Sequence, residues 1–114
     1  MNIENFFALR PDAAGRVVSA ALVGAGEFGA SFIGQARRTA HIAPRVVCDL
    51  DLGRARKAAL AGGFNESDLA DCRNAAEAKS ALDRGLVALI DNSAHLASLA
   101  VDLVVEATAD PDGA

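Results

Sequence analysis

The stretch VSAALVGAGEFGASFIGQARR, residues 18–38, passes from an apolar segment through three glycines into a segment with helical periodicity. Residues 17–23 are almost continuously apolar, which is typical of a strand buried on both faces of a parallel sheet. Residues 27–39 are predicted to form a helix, because apolar side chains recur there at helical spacing. The glycines therefore stand where a predicted strand is followed by a predicted helix.

These glycines follow the pattern GxGxxG, which favours a turn that binds phosphate. Gly24 permits the sharp turn after the strand, Gly26 lets a pyrophosphate approach the main chain, and Gly29 allows the helix to pack closely on the strand. The free amide groups and the positive end of the helix dipole would then bind the anion. The turn predicts a dinucleotide site, with six candidate cofactor-binding residues: Gly24, Ala25, Gly26, Glu27, Phe28 and Gly29.

An acidic residue at the end of the next predicted strand fits the same site. Asp49 lies 20 residues after Gly29, where the acid that binds the adenosine ribose of a dinucleotide is expected. A carboxylate there favours the free 2′-hydroxyl of NAD over the 2′-phosphate of NADP. Arg54 follows closely and is a further candidate cofactor-binding residue, because its guanidinium could bind a 2′-phosphate. These residues leave the choice between NAD(H) and NADP(H) open.

Three more apolar runs follow the first strand, with helical segments between them. This alternation predicts an α/β fold: a Rossmann-type parallel sheet of about four strands in the order 3-2-1-4, with helices on both faces. The first and fourth strands are then neighbours, so backbone groups after the fourth strand should line the nicotinamide side of the site. The strands are predicted at residues 17–23, 45–50, 86–90 and 102–107, and the nicotinamide-side residues are Ala107, Thr108 and Ala109.

The boundaries of these elements depend on turn and cap residues. Pro44 is expected to end the connection that precedes the second strand. Asp51 is expected to cap the second helix, and Ser93 a short helix after the third strand. Residues 64–72 are ambiguous between a loop and one helical turn, so no strand is predicted there.

Length and composition fit one globular domain of 114 residues, of which 52% are hydrophobic. A net charge of −4 without a basic run argues against nucleic-acid binding. No cysteine or histidine spacing indicates a metal site, a disulfide or a catalytic arrangement. Because no signal peptide or membrane span is predicted, we expect a cytoplasmic protein. Residues 1–16 are expected to be an N-terminal helical extension and residues 17–114 the NAD(P)-binding domain.

Two stretches resemble one oxidoreductase family: ALVGAGEFGASFIGQARRTAHIAPRVVCDLD (residues 21–51) and VDLVVEATADP (residues 101–111). The chain resembles the predicted homoserine dehydrogenase-like oxidoreductases that carry a C-terminal SAF-type domain. That family includes the deoxyxylulose-phosphate reductoisomerase-like enzymes of isoprenoid biosynthesis. The resemblance extends over about residues 1–112, although Cys48 stands where the family often has alanine.

The resemblance implies an NAD(P)-dependent oxidoreductase that transfers hydride to a small polar carbonyl substrate, with NADPH as cofactor in the reductoisomerase-like branch. It also implies a homo-oligomer and a catalytic domain downstream of this chain, so no catalytic residue can be carried over. We therefore expect an incomplete, truncated dinucleotide fold that is inactive alone. The alternatives are a free-standing, non-catalytic NAD(P)-binding sensor or regulatory module, and a structural fragment that binds nothing tightly.

Overall fold

A computed structural model describes residues 17–24, 26–39 and 41–106 of the chain. Five strands form one all-parallel sheet in the order β3-β4-β2-β1-β5. The predicted α/β class, with a Rossmann-like sheet, is confirmed. The strands are β1 (Val18–Val23), β2 (Ile42–Cys48), β3 (Leu69–Asp71), β4 (Val87–Ile90) and β5 (Leu103–Glu106). The helices are α1 (Glu27–Arg37), α2 (Leu52–Ala61) and α3 (Ala75–Asp83), with two 3₁₀ helices at Glu66–Asp68 and Ser93–Ser98.

The number of strands differs from the prediction of four. The four predicted strands correspond to β4-β2-β1-β5 and keep their expected order, including the pairing of β1 with β5. The fifth strand, β3, pairs with β4 at the outer edge of the sheet. It has only three residues and lies within the ambiguous segment 64–72. A strand this short has no detectable alternation, so its pairing with β4 defines it rather than its own sequence pattern.

Pro44 lies inside β2, so its predicted place before the second strand is wrong. Proline has no amide hydrogen and is tolerated in a sheet only where no neighbour needs that hydrogen bond or where the register is irregular. Both conditions hold here, because the β1–β2 register shifts just after Pro44 and β2 pairs with β4 only from Val46 onward. The strand consequently starts at Ile42, three residues earlier than predicted.

Helices cover both faces of the sheet, as predicted. On one face α1 and α2 pack on β1 and β2, and on the other α3 packs with the segment that leads into β5. The periodicity of α1 places Phe32, Ile33 and Ala36 in the core, each at most 1% exposed. Small residues of α2 and α3 allow close approach to the sheet: Ala55, Ala58, Ala59, Ala78 and Ala81 are all buried.

Short polar side chains cap the helices that follow the sheet. The Asp51 carboxylate accepts the Gly53 amide hydrogen at 2.8 Å, which confirms its predicted role at the start of α2. The second 3₁₀ helix is capped by Asn92 and not, as predicted, by Ser93, since the Asn92 side chain accepts the Ala94 amide hydrogen at 2.9 Å. None of the helices within the described ranges has the length and apolar character needed to cross a membrane. The expected N-terminal extension, residues 1–16, lies outside the described residues.

Candidate functional site

The carboxyl ends of the parallel strands meet at one edge of the sheet, and the glycine turn lies there. The turn follows β1 and leads into α1. The Gly24 amide donates to the Cys48 carbonyl at 2.8 Å, which ties the turn to the end of β2. The next amide along β2, that of Asp49, donates to the Ile90 carbonyl at 3.0 Å. The glycine turn and Asp49 are thereby held side by side on a continuous backbone network.

Two of the three glycines are required by the fold itself. Gly24 has a φ of +93°, a backbone conformation that residues with a Cβ rarely adopt. A Cβ on Gly29 would lie 3.1 Å from the Gly24 carbonyl oxygen and 3.1 Å from Cδ2 of Leu22. The absence of a side chain at Gly29 therefore lets α1 begin directly against β1.

Gly26 differs from its two neighbours in the motif. Its φ of −84° suits any residue, and it is the residue that caps α1 at its N-terminus. Among the described residues, the only atom within 4 Å of a Cβ built on Gly26 is Nη2 of Arg54, at 4.0 Å. Neither backbone conformation nor packing against the described residues demands a glycine here. The bare backbone of Gly26 leaves room for a ligand to approach closely.

The backbone amide groups at the start of α1 lie next to Gly26. The first amides of an α-helix have no hydrogen-bond acceptor within the helix. Gly26 has no side chain to cap them, whereas the N-terminus of α2 is capped by Asp51. Helix amides and a positive dipole end without a side-chain cap form an environment that favours an anion.

Asp49 is held in a fixed position at the end of β2. Its side chain is only 10% exposed. One carboxylate oxygen, Oδ1, accepts the Asp51 amide hydrogen at 2.9 Å, and the other, Oδ2, lies 3.7 Å from Nε of Arg54. A carboxylate oriented in this way can accept hydrogen bonds from hydroxyl groups without reorganising the backbone.

Arg54 connects the two parts of the site. It lies in the first turn of α2, its side chain is 61% exposed, and its guanidinium reaches both Asp49 and the space beside Gly26. The structure therefore brings together three of the predicted cofactor-binding residues, namely Gly26, Asp49 and Arg54. Asp51 was predicted only as a helix cap, yet its amide orients Asp49 and its carboxylate adds a second negative charge. The D-x-D spacing of these two acids was the available signal.

Cys48 forms part of the wall behind Asp49. Burial, together with the smaller effects of the Asp49 and Asp91 carboxylates, raises the pKa of its thiol to about 11. Its side chain is 4% exposed, so Cys48 belongs to the core. The thiol is therefore neutral and shielded at physiological pH, and it is unsuited to act as a nucleophile.

The remaining candidates lie outside what the structure describes. These are Ala25, the side chains of Glu27 and Phe28, and the nicotinamide-side residues Ala107, Thr108 and Ala109. Within the described ranges, His, Cys, Asp and Glu side chains form no group of three or more that could hold a metal ion. The arrangement can bind an anion and hydroxyl groups through Gly26, Asp49 and Arg54.

A scan against protein-family models and a search of curated proteins return no match to this chain.

Proposed function

We propose that this chain binds NAD(P)(H) at the glycine turn, as the cofactor-binding portion of an NAD(P)-dependent oxidoreductase. The single observation that carries the proposal is Gly26. Neither its backbone conformation nor packing against the described residues requires a glycine, and it stands next to Asp49 and Arg54 at a helix N-terminus without a side-chain cap. A bound pyrophosphate would explain this combination of features, because it approaches the backbone more closely than a side chain at this position would allow.

Each described residue would have a separate role toward the cofactor. The amides at the start of α1 would bind the pyrophosphate, with Gly26 giving it access to the backbone. The Asp49 carboxylate would accept hydrogen bonds from the adenosine ribose. The exposed Arg54 guanidinium would compensate part of the pyrophosphate charge from the side of α2. A bound nicotinamide supplies a hydride donor or acceptor, and the chain's own contribution is to hold it in place.

The family resemblance extends this proposal to the reaction. A homoserine dehydrogenase-like or reductoisomerase-like enzyme would transfer hydride to a small polar carbonyl substrate, using catalytic residues that lie downstream of this chain. We include in the proposal the homo-oligomeric state that the resemblance implies. A cytoplasmic location is also proposed, because the two cysteines within the described residues are free thiols, which suits a reducing compartment.

A titration with NADH tests the proposal. The chain contains no Trp or Tyr, so the fluorescence of the reduced nicotinamide can be followed without overlapping protein emission. We expect saturable binding by the parent chain. Gly26→Val should weaken it by roughly 100-fold or more, because the side chain would occupy the approach of the pyrophosphate.

The matched control is Gly34→Ala, another glycine of the same helix. Its Cβ would make only an ordinary contact, 3.8 Å from the Gly62 carbonyl oxygen, and it lies more than two helical turns from Gly26. Gly34→Ala should bind as the parent does. Equal binding by Gly26→Val and the parent would contradict the proposal. Turnover of a carbonyl substrate by a longer protein that includes downstream sequence would separate the enzyme from the non-catalytic sensor.

A further inference from the structure

Two carboxylates and one guanidinium surround the position where an adenosine ribose would lie. Asp51 Oδ1 accepts the amide hydrogens of Gly53 at 2.8 Å and of Arg54 at 3.4 Å. The amide of Asp51 itself donates to Asp49 at 2.9 Å. Three backbone donors at the N-terminus of α2, the amides of Asp51, Gly53 and Arg54, are therefore already bound to carboxylates of the chain.

The positive charge of Arg54 does not outweigh the negative charges of Asp49 and Asp51. Its Nε lies 3.7 Å from Asp49 Oδ2, so its charge is shared with that carboxylate. Its Nη2 extends toward Gly26, which is the pyrophosphate side of the proposed site. Counting Asp49, Asp51 and Arg54 together, the formal charge is −1. A phosphate placed at the ribose 2′ position would meet net negative charge there.

We propose that the site selects dinucleotides with a free ribose 2′-hydroxyl, and so prefers NAD(H) to NADP(H). This inference rests on the proposed function, and it differs from the NADPH use that the reductoisomerase-like resemblance implies. The Asp49 carboxylate accepts a hydrogen bond from a hydroxyl but repels a 2′-phosphate, which carries up to two negative charges. Repulsion between a carboxylate and a phosphate at hydrogen-bonding range, next to a partly buried side chain, corresponds to a preference of about tenfold or more.

Dissociation constants for NADH and NADPH, measured by nicotinamide fluorescence on the same preparation, test the selectivity. ADP-ribose and its 2′-phosphorylated form, measured by calorimetry, provide a pair without redox chemistry. We expect the 2′-hydroxyl member of each pair to bind at least about tenfold more tightly. Equal or tighter binding of the 2′-phosphorylated members would overturn the selectivity and leave the proposed function standing. Absence of binding by all four ligands would overturn both.

Three charge variants identify the groups responsible. Asp51→Asn keeps a good helix cap and removes one charge, so it should lower the ratio of the NADPH to the NADH dissociation constant several-fold. Asp49→Asn should reduce the preference for NADH over NADPH, because NADH would bind more weakly and NADPH more tightly. Arg54→Gln should weaken both cofactors through the lost pyrophosphate contact, and NADPH more than NADH, because the formal charge of the three groups falls to −2. A loss confined to NADPH would show that Arg54 binds a 2′-phosphate and would contradict the inference.

Discussion

Two glycine turns stand at opposite edges of the sheet, and they contain glycine for different reasons. At the amino edge, where α2 ends, a Cβ on Gly62 would lie 2.7 Å from Cβ of Ile33, and Gly63 has a φ of +112°. Packing and backbone conformation explain both residues completely. At the carboxyl edge the same reasons explain Gly24 and Gly29 but not Gly26. Within the described residues, Gly26 is therefore the glycine of the motif for which we propose a ligand as the cause.

The largest difference between the two turns should appear in stability. Gly62→Val would force a side chain against Ile33, and we expect it to lower the free energy of unfolding by about 3 kcal/mol. Gly26→Val should lower it by at most about 1 kcal/mol, the cost of valine in place of glycine at a helix N-cap, because apart from its chain neighbours no described atom lies closer than 4.0 Å to its Cβ position. Urea unfolding of both variants measures the two values. Similar losses would mean that Gly26 is also a packing residue.

Stability at alkaline pH tests how well the Cys48 thiol, next to the carboxyl-edge turn, is shielded from solvent. Burial raises the Cys48 pKa from 9.0 to about 11, so the unfolded chain loses this proton first as the pH rises. Stability should therefore fall between about pH 9 and 11, by about 1.4 kcal/mol at pH 10 from Cys48 alone. The measurement is urea unfolding at pH 8 and pH 10 for the parent and for Cys48→Ala. A pH dependence that is identical in the two proteins would show that the thiol is accessible.

Gly34 lies in α1, and its substitution by alanine should affect stability differently from substitutions in either turn. Its Cβ would make an ordinary contact at 3.8 Å, and alanine is favoured over glycine in a helix interior. Gly34→Ala should therefore raise the free energy of unfolding by about 1 kcal/mol, with a corresponding rise in the thermal midpoint. A fall in stability would mean that α1 and α2 tolerate no added atom anywhere along their contact.

The smallest effect is expected at the edge strand. Arg56 of α2 forms ion pairs with Glu66 and with Asp71, the latter at 2.5 Å. The carboxylates are more than half exposed, so Arg56→Met should cost less than about 1 kcal/mol and lose part of that cost at high salt. NADH binding should not change. A binding defect in this variant would connect the edge strand to the site.

Structural features that depend only on residues close together in the sequence could be predicted. The glycine turn, the cap at Asp51 and the apolar face of α1 are local patterns, and the structure places them as expected. Strand β3 and the position of Pro44 depend on pairing with distant strands, so no local pattern indicated them. The approach of Arg54 to Gly26 depends on how α2 packs beside the turn, and spacing along the chain contains no information about that distance.

The most direct test of the central claim is an amide-resolved NMR titration of the ¹⁵N-labelled chain with ADP-ribose. If the pyrophosphate binds the start of α1, the largest shifts will belong to the amides of Gly26, Gly29 and Asp49, while those of Gly62 and Gly63 stay in place. Unshifted amides at Gly26 and Gly29 under saturating ligand would contradict the account, as would shifts concentrated at the amino-edge turn.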